Sequence, residues 1–378
     1  MADVLPLVPE SLRPRDGRFG CGPSRIRDAQ IQALSRPLLM GTSHRQAPVR
    51  GVVADIRRGL AEFFTLPEGW TVALGDGGTT AFWAVATASL VRRRAAHAVF
   101  GEFGQKFADE TSAAPFLAPS GVVSAPAGSV ARLDEGAPAS DGLPPADVWA
   151  YPHHETSTGA LSPVYRAEEA EALTVVDATS IAGGVDVDVS MTDAYYFAPQ
   201  KCFASDGGLW LALLSPAAQA RARELHDAAD RWIPQILDLQ LAIENSQKDQ
   251  TLNTPAIATL VMLREQIAWM LDQGGLAAME ARSRACSGLV YDWAERCEAA
   301  TPFVDVPQWR SPVVVTVDFV PEVDAARLAA TLRASGIVDV EPYRKLGRNQ
   351  LRIATFPATE VADVEALLSS IDWLLPRL

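Results

Sequence analysis

Ala194-Tyr-Tyr-Phe-Ala-Pro-Gln-Lys201-Cys202 is the stretch that decides how this chain of 378 residues is read. An aromatic, apolar run meets a proline and then presents one lysine. It reads as a short buried strand with an ammonium at its end. Burying an ammonium without a partner is costly, so Lys201 either snorkels out at a strand edge or has a partner. The segment just upstream offers one. Leu173-Thr-Val-Val-Asp177-Ala-Thr-Ser180 is a second apolar strand, and it ends in a carboxylate.

Outward from this pair, short apolar strands alternate with helices. Thr71–Leu74, Ala98–Phe100, Val148–Tyr151, 173–177 and 194–198 read as strands, with a weaker one at Gly121–Ser124. Gly207–Leu214 is expected to hairpin back onto 194–198. Helical periodicity covers Asp28–Leu39, Pro48–Leu66 and Ala81–Val91, and Val52, Val53, Ile56, Leu60, Phe63 and Phe64 share one side of the second. That alternation predicts an α/β fold with a mostly parallel sheet covered on both faces. In such sheets ligands lie beyond the carboxyl ends of the strands. Gly75–Thr80, Gly101–Gly104, His153–Gly159, Asp177 and Lys201 all fall at such ends. From Asn253 the texture changes to long helices (257–271, 276–297) and then strand 313–319, helix 324–335, strand 350–356 and helix 359–375. This predicts a large domain over 17–262 and a smaller C-terminal α/β domain over 263–378, with residues 1–16 packing on it.

Composition narrows the function. A formal net charge of −13 opposes nucleic acid as a partner. No apolar run approaches the roughly 20 residues that cross a bilayer, and the N-terminus lacks the regions of a signal peptide. Cys21, Cys202, Cys286 and Cys297 have no metal-site spacing and are too few for a disulfide framework. The expectation is a cytoplasmic protein with no metal.

Several residues carry candidate chemistry. Gly78, Thr79 and Thr80 open a helix after a strand, where free amides and the positive dipole end suit a phosphate, though a plain capped turn has the same look. Phe103 follows a strand-end glycine; it stacks on a flat ring or packs in the core. The hydroxyl of Thr156 suits a ligand oxygen or a turn. Val185-Asp-Val-Asp-Val189 alternates like a solvated strand edge. Two basic clusters, His44-Arg45 and Tyr343-Arg344-Lys345-Leu-Gly-Arg348 with Arg352, are anion sites or solvated surface charge. Asn253-Thr254-Pro255 reads as a helix start, with Thr as cap and Pro in the first turn. A strand-end lysine with a strand-end aspartate suits pyridoxal phosphate, which needs a lysine for its Schiff base and an acid to keep its pyridine nitrogen protonated.

With these residues assembled, the chain resembles the phosphoserine aminotransferases of the class V aminotransferases, of pyridoxal-phosphate fold type I, and the actinobacterial form above all. The motifs are Phe19-Gly-Cys-Gly-Pro-Ser, Gly41-Thr-Ser-His-Arg, Gly77-Gly-Thr-Thr-Ala-Phe, His154-Glu-Thr-Ser-Thr-Gly, Val176-Asp-Ala-Thr-Ser, Ala198-Pro-Gln-Lys, Phe203-Ala-Ser-Asp-Gly-Gly-Leu and Asn253-Thr-Pro, in order along nearly the whole chain. The resemblance implies reversible transamination between 3-phosphohydroxypyruvate and L-glutamate, giving O-phospho-L-serine and 2-oxoglutarate, by a homodimer with shared active sites. It implies that Lys201 holds the cofactor and moves the proton, that Asp177 holds the ring nitrogen, and that Phe103 stacks where many relatives have Trp. Thr156 and Gln200 would touch the ring oxygen and phosphate region. Gly78 and Thr79 would bind the phosphate, joined by Asn253 and Thr254 of the partner subunit. Arg45 with His44 would meet the substrate's distal anion, and Arg352 its α-carboxylate. Cys21 stands where relatives carry serine or another small residue near the substrate. Thr79 replaces an arginine of the enterobacterial branch, and Tyr343-Arg344 is the counterpart of a His–Arg pair. The competing readings are a serine– or alanine–glyoxylate aminotransferase, which shares Lys201 and Asp177 without the phosphate cations, a cysteine desulfurase, which needs a cysteine on a mobile loop, and a non-catalytic dimer that only binds the cofactor.

Overall fold

The computed structural model describes residues 6–35, 39–136, 142–169 and 171–378. Strands β1 (Thr71–Asp76), β2 (Ala95–Val99), β3 (Gly121–Ser124), β4 (Val148–Pro152), β5 (His154–Glu155), β6 (Ala160–Leu161), β7 (Leu173–Asp177), β8 (Ala194–Phe197) and β9 (Leu209–Leu214) are followed by β10 (Ala300–Pro302), β11 (Val314–Phe319) and β12 (Gln350–Ala354). The α-helices are α1 (Asp28–Ala33), α2 (Ala47–Phe63), α3 (Gly78–Ser89), α4 (Glu102–Ala113), α5 (Pro216–His226), α6 (Leu239–Gln247), α7 (Ile257–Asp272), α8 (Gly275–Arg296), α9 (Ala325–Ala334) and α10 (Val361–Leu374).

The main sheet has the order β1-β9-β8-β7-β4-β2-β3. Only β9 runs against its neighbours; β2, β3, β4, β7 and β8 pair in parallel. Being antiparallel to β9, both β1 and β8 point the same way, so every strand except β9 ends at one edge. β9 folds back onto β8 with Ala194 facing Leu214 and Phe197 facing Leu211, as the apolar run after Gly207-Gly208 predicts. The two faces are dry. Phe63, Phe64, Tyr195, Phe197 and Phe203 pack on one, and Phe82, Trp83, Phe107, Tyr196 and Trp210 on the other. Tyr195 and Tyr196 thus go to opposite faces, as successive strand residues must. α2 buries Val52, Val53, Ile56, Leu60 and Phe63, each contributing roughly 1.5–3 kcal/mol of transfer free energy.

A second core surrounds β10-β11-β12, an antiparallel sheet with α8, α9 and α10 against it. Val8 and Phe19, from the start of the chain, are buried in this core. Strand β10 is absent from the sequence reading, being too short to show a period.

Three local expectations are corrected. The helix expected over 28–39 ends at Ala33, with Leu34 and Ser35 in a turn; residues 36–38 lie outside the described residues. Val185–Val189 is no strand edge: Val185 and Val189 are buried and Asp186 and Asp188 exposed, but the segment only bridges Val185 to Ala182, and Asp188 caps the turn 189–191. The alternation there records burial without a strand to pair with. Asn253-Thr254-Pro255 does not open a helix. α7 begins at Ile257 with Ala256 as its N-cap and no capping side chain, and exposed Asn253 and Thr254 lie before it, Asn253 in a bend.

Candidate active site

The common edge of β1, β2, β4, β7 and β8 collects the polar residues. After β1 the chain turns at Gly77, whose φ of 102° is left-handed and whose amide donates to Gly208 O at 2.9 Å. α3 then starts at Gly78, and open space surrounds the position where a Cβ would stand on that glycine. Thr79 is buried and Thr80 exposed. These first amides have no partner within the helix, which is what an anion requires.

After β2, Phe103 lies in the first turn of α4. Buried Glu155 holds that turn: its Oε2 accepts from the amides of Phe103 (3.0 Å) and Gly104 (3.1 Å), and its Oε1 from the Ser157 amide (3.1 Å) and hydroxyl (2.6 Å). Burial pushes the Glu155 carboxyl up, and these donors pull it part of the way back. The Phe103 ring lies 5.9 Å from that of Tyr343.

Asp177 ends β7 beside Tyr196 of β8. Its Oδ1 accepts from the Thr179 amide (2.9 Å) and hydroxyl (2.5 Å), and its Oδ2 from Trp83 Nε1 (3.1 Å). Trp83 Nε1 also reaches the Tyr196 hydroxyl at 3.0 Å. Burial pushes the Asp177 carboxyl above the usual range, and the Thr179, Trp83 and Tyr196 contacts oppose that without cancelling it. A carboxylate braced by neutral donors in a dry site lacks a cation. Trp83 and Tyr196 were missed in the sequence, although a buried indole N–H normally demands an acceptor.

Lys201 follows β8. Its Nζ donates to Cys21 O at 2.6 Å, and the chain on either side is pinned: Ser24 Oγ donates to Lys201 O (2.6 Å) and the Ser24 amide to Gln200 O (2.9 Å). Desolvation pushes the ammonium down to about 8. The Cys21 thiol is pushed up by burial and points at Arg352 O, 3.7 Å away. Arg352 Nη1 donates to Thr156 O (3.0 Å), its guanidinium lies 5.4 Å from the Tyr343 ring, and its Nε is buried without a hydrogen-bond partner. Gln200 Oε1 is likewise buried and unpartnered. The structure therefore links Cys21, Lys201, Thr156, Arg352 and Tyr343, while the Arg344 side chain is exposed.

His44 and Arg45 belong to a different group. Arg45 donates to Gln250 Oε1 (2.6 Å) and Leu252 O (3.0 Å), and His44 Nδ1 lies 3.3 Å from Thr254 Oγ1. The His44-Arg45 motif is thus joined to the segment Gln250–Thr254, some 200 residues later in the sequence.

The donor set fits pyridoxal phosphate. The observation that tests it is Asp177, a buried carboxylate short of a cation, beside an amine that desolvation keeps partly neutral and a helix start with room for a phosphate.

The model of the family "Aminotransferase class-V" matches residues 135–339. The phosphoserine aminotransferase of Nocardioides sp. strain JS614 is 53% identical over 384 residues, covering 100% of both chains. Among solved structures, a phosphoserine aminotransferase from Cytophaga hutchinsonii superposes with a TM-score of 0.86 at 21% identity, covering 95% of this chain and 99% of that one. An alanine–glyoxylate aminotransferase from Nostoc sp. reaches 0.82 at 20% identity over 99% and 97%. The structural likeness establishes the type I fold and no more, since it embraces different activities; with the full-length identity added, the chain belongs to the class-V aminotransferase family, among its phosphoserine aminotransferases.

Proposed function

We propose that this protein transfers an amino group between L-glutamate and 3-phosphohydroxypyruvate, giving 2-oxoglutarate and O-phospho-L-serine, with pyridoxal phosphate as cofactor. The observation that carries this reading is the juxtaposition of Lys201 and Asp177 at the ends of neighbouring strands, in a chain that matches a phosphoserine aminotransferase along its whole length. Bound there, the cofactor supplies an electron sink that makes the substrate's α-proton acidic. Lys201 would anchor it and shuttle that proton, Asp177 hold its ring nitrogen, and Phe103 cover the ring. Gly78 and Thr79 would take the phosphate, and Thr156 and Gln200 the ring oxygen and phosphate region. Arg352, whose Nε lacks an acceptor, suits the α-carboxylate.

The patch of exposed Arg45, Asn253 and Thr254 with half-buried His44 supports a homodimer. Arg45 donates to Gln250 and Leu252 and His44 lies against Thr254, so the partners of the Arg45 guanidinium are neutral groups. In a dimer with shared sites the patch would face the partner's cofactor, with Asn253 and Thr254 toward the cofactor phosphate and Arg45 toward the substrate phosphate. The reading places the large cofactor-binding part over 17–262, the smaller part over 263–378, and the enzyme in the cytoplasm. Among the described residues no helix is long and apolar enough to cross a membrane.

The test is a half-reaction. The loaded protein is treated with glutamate, freed of it, and challenged separately with 3-phosphohydroxypyruvate, hydroxypyruvate and glyoxylate. The phosphorylated acid is expected to react best; preference for glyoxylate would overturn the substrate assignment. In the same assay Arg45→Ala is expected to weaken the phosphorylated acid over hydroxypyruvate by one charge-assisted contact, about 1.5–3 kcal/mol or roughly 10–150-fold. Equal losses would remove Arg45 from the phosphate site.

Gly22 gives a further expectation. Its φ is +139°, and a Cβ there would stand 1.9 Å from Lys201 Nζ. Gly22→Ala therefore displaces the lysine end and adds backbone strain of roughly 1–3 kcal/mol. The expected result is a folded protein with sharply reduced visible absorbance per chain after reconstitution. Full occupancy in that variant would show that Nζ need not stay where Cys21 O holds it.

A further inference from the structure

Behind the strand ends lies a chain of three buried groups. Thr156 Oγ1 donates to Ser180 Oγ at 2.6 Å, and Ser180 Oγ lies 2.7 Å from His154 Nδ1. Their exposures are 5%, 0% and 3%. The far nitrogen, His154 Nε2, is buried and has no hydrogen-bond partner. Desolvation holds this imidazole down to about 3, helped by His153, Lys201 and Arg352 nearby, so the ring stays neutral and carries one N–H.

The hydrogens can be counted. A threonine hydroxyl, a serine hydroxyl and a neutral imidazole each bring one donor hydrogen. Two links consume two, so one donor is always left over, and only its position changes. With Thr156 donating to Ser180 and Ser180 donating to Nδ1, the surplus N–H is at Nε2, in a dry place with no acceptor. Reversed, Nδ1–H donates to Ser180, Ser180 to Thr156, and the Thr156 hydroxyl points out of the chain. Nε2 is then a bare lone pair, which a dry interior tolerates better than an orphaned N–H. The reversed chain needs one thing from outside, an acceptor oxygen at Thr156.

We propose that the phenolic oxygen of the bound cofactor is that acceptor, and that loading reverses the chain, converting His154 from the Nε2–H to the Nδ1–H tautomer. No group gains or loses a hydrogen: the two hydroxyls turn about their C–O bonds, and the imidazole exchanges its proton from Nε2 to Nδ1 through solvent during loading. His154 is thus a positioning residue that acts through Ser180 to aim the Thr156 hydroxyl at the ring oxygen. The inference rests on the reading that pyridoxal phosphate occupies this site with its ring oxygen at Thr156.

The test uses protein labelled with nitrogen-15 in its histidine rings, in three states: stripped of cofactor, loaded with pyridoxal phosphate, and loaded with the 3-deoxy analogue that lacks the phenolic oxygen. His154→Asn identifies the signals by their loss. The expected result is that His154 Nδ1 changes from a pyridine-like to a pyrrole-like shift with pyridoxal phosphate and not with the analogue. Ser180→Ala should uncouple the tautomer from loading. An unchanged tautomer in a protein that has gained its visible absorbance overturns this proposal and leaves the cofactor reading intact. Reversal by the analogue as well also overturns it. A protein that gains no absorbance at all sinks the cofactor reading, and the relay with it.

Discussion

Lys201→Ala is expected to abolish the visible absorbance of the loaded protein and to lower turnover by about 10⁴-fold or more, beyond the 10²–10⁴-fold range of a single general acid–base group because the anchor is lost too. The substitution itself is mild. It removes the 2.6 Å hydrogen bond to Cys21 O, about 1.5–3 kcal/mol for a charged donor, but also the cost of burying the ammonium, so the net loss is small against the stability of a domain. A folded, colourless, inactive protein is therefore the outcome, and circular dichroism separates it from an unfolded one. An unchanged spectrum would end the assignment of Lys201. The wild-type residue carries a pH signature as well. Desolvation disfavours the ammonium, so Lys201 is charged below about pH 8 and neutral above it. Only the neutral amine is nucleophilic. Protein stripped of cofactor should then take it up faster as pH rises and level off above about 8, whereas an ordinary lysine would keep accelerating toward about 10.5. Continued acceleration past pH 9 would mean the amine is solvated.

Asp177→Asn is the second large effect. The amide keeps the shape and still accepts from Thr179, but it removes the negative charge that would face a cationic ring nitrogen. Breaking a buried ion pair costs about 3–5 kcal/mol, roughly 10²- to 10⁴-fold in rate if the pair operates in the transition state. Trp83→Phe removes one neutral donor to the same carboxylate, about 1 kcal/mol, so it should cost roughly fivefold. The ranking matters more than either value, because a merely structural Asp177 would make the two losses similar. Single-turnover rates with glutamate give the comparison. An Asp177→Asn protein within threefold of wild type would end the charge-pairing role.

The parts legible in the sequence share a physical cause. Strands β7 and β8 are continuous apolar runs stopped by one polar residue, and buried parallel strands have that texture. Hence Asp177 and Lys201 stood out, and the edge they share could be inferred. Contacts joining distant residues did not show. Trp83 braces Asp177 from a helix 94 positions earlier, and no local pattern marks that bond. Asn253-Thr254-Pro255 failed for the opposite reason: its local capping signal is sound, but there Thr254 lies beside His44, so the tertiary contact prevailed over the local preference. The patch that unites Arg45 with Leu252 was invisible for the same reason, and it carries the dimer reading.

The support of Lys201 also has a consequence for synthesis on the ribosome. Its amine leans on Cys21, and the strip holding Cys21 is itself held by the last strand of the small sheet, where the Ala354 amide donates to Phe19 O at 3.0 Å. The lysine is thus made midway through translation, yet the brace that aims it is complete only when almost the whole chain has emerged. A nascent chain ending before β12 has its large sheet, its lysine and the Ser24 bonds that pin the lysine's backbone, but it lacks the strand that holds the Cys21 strip from its other side.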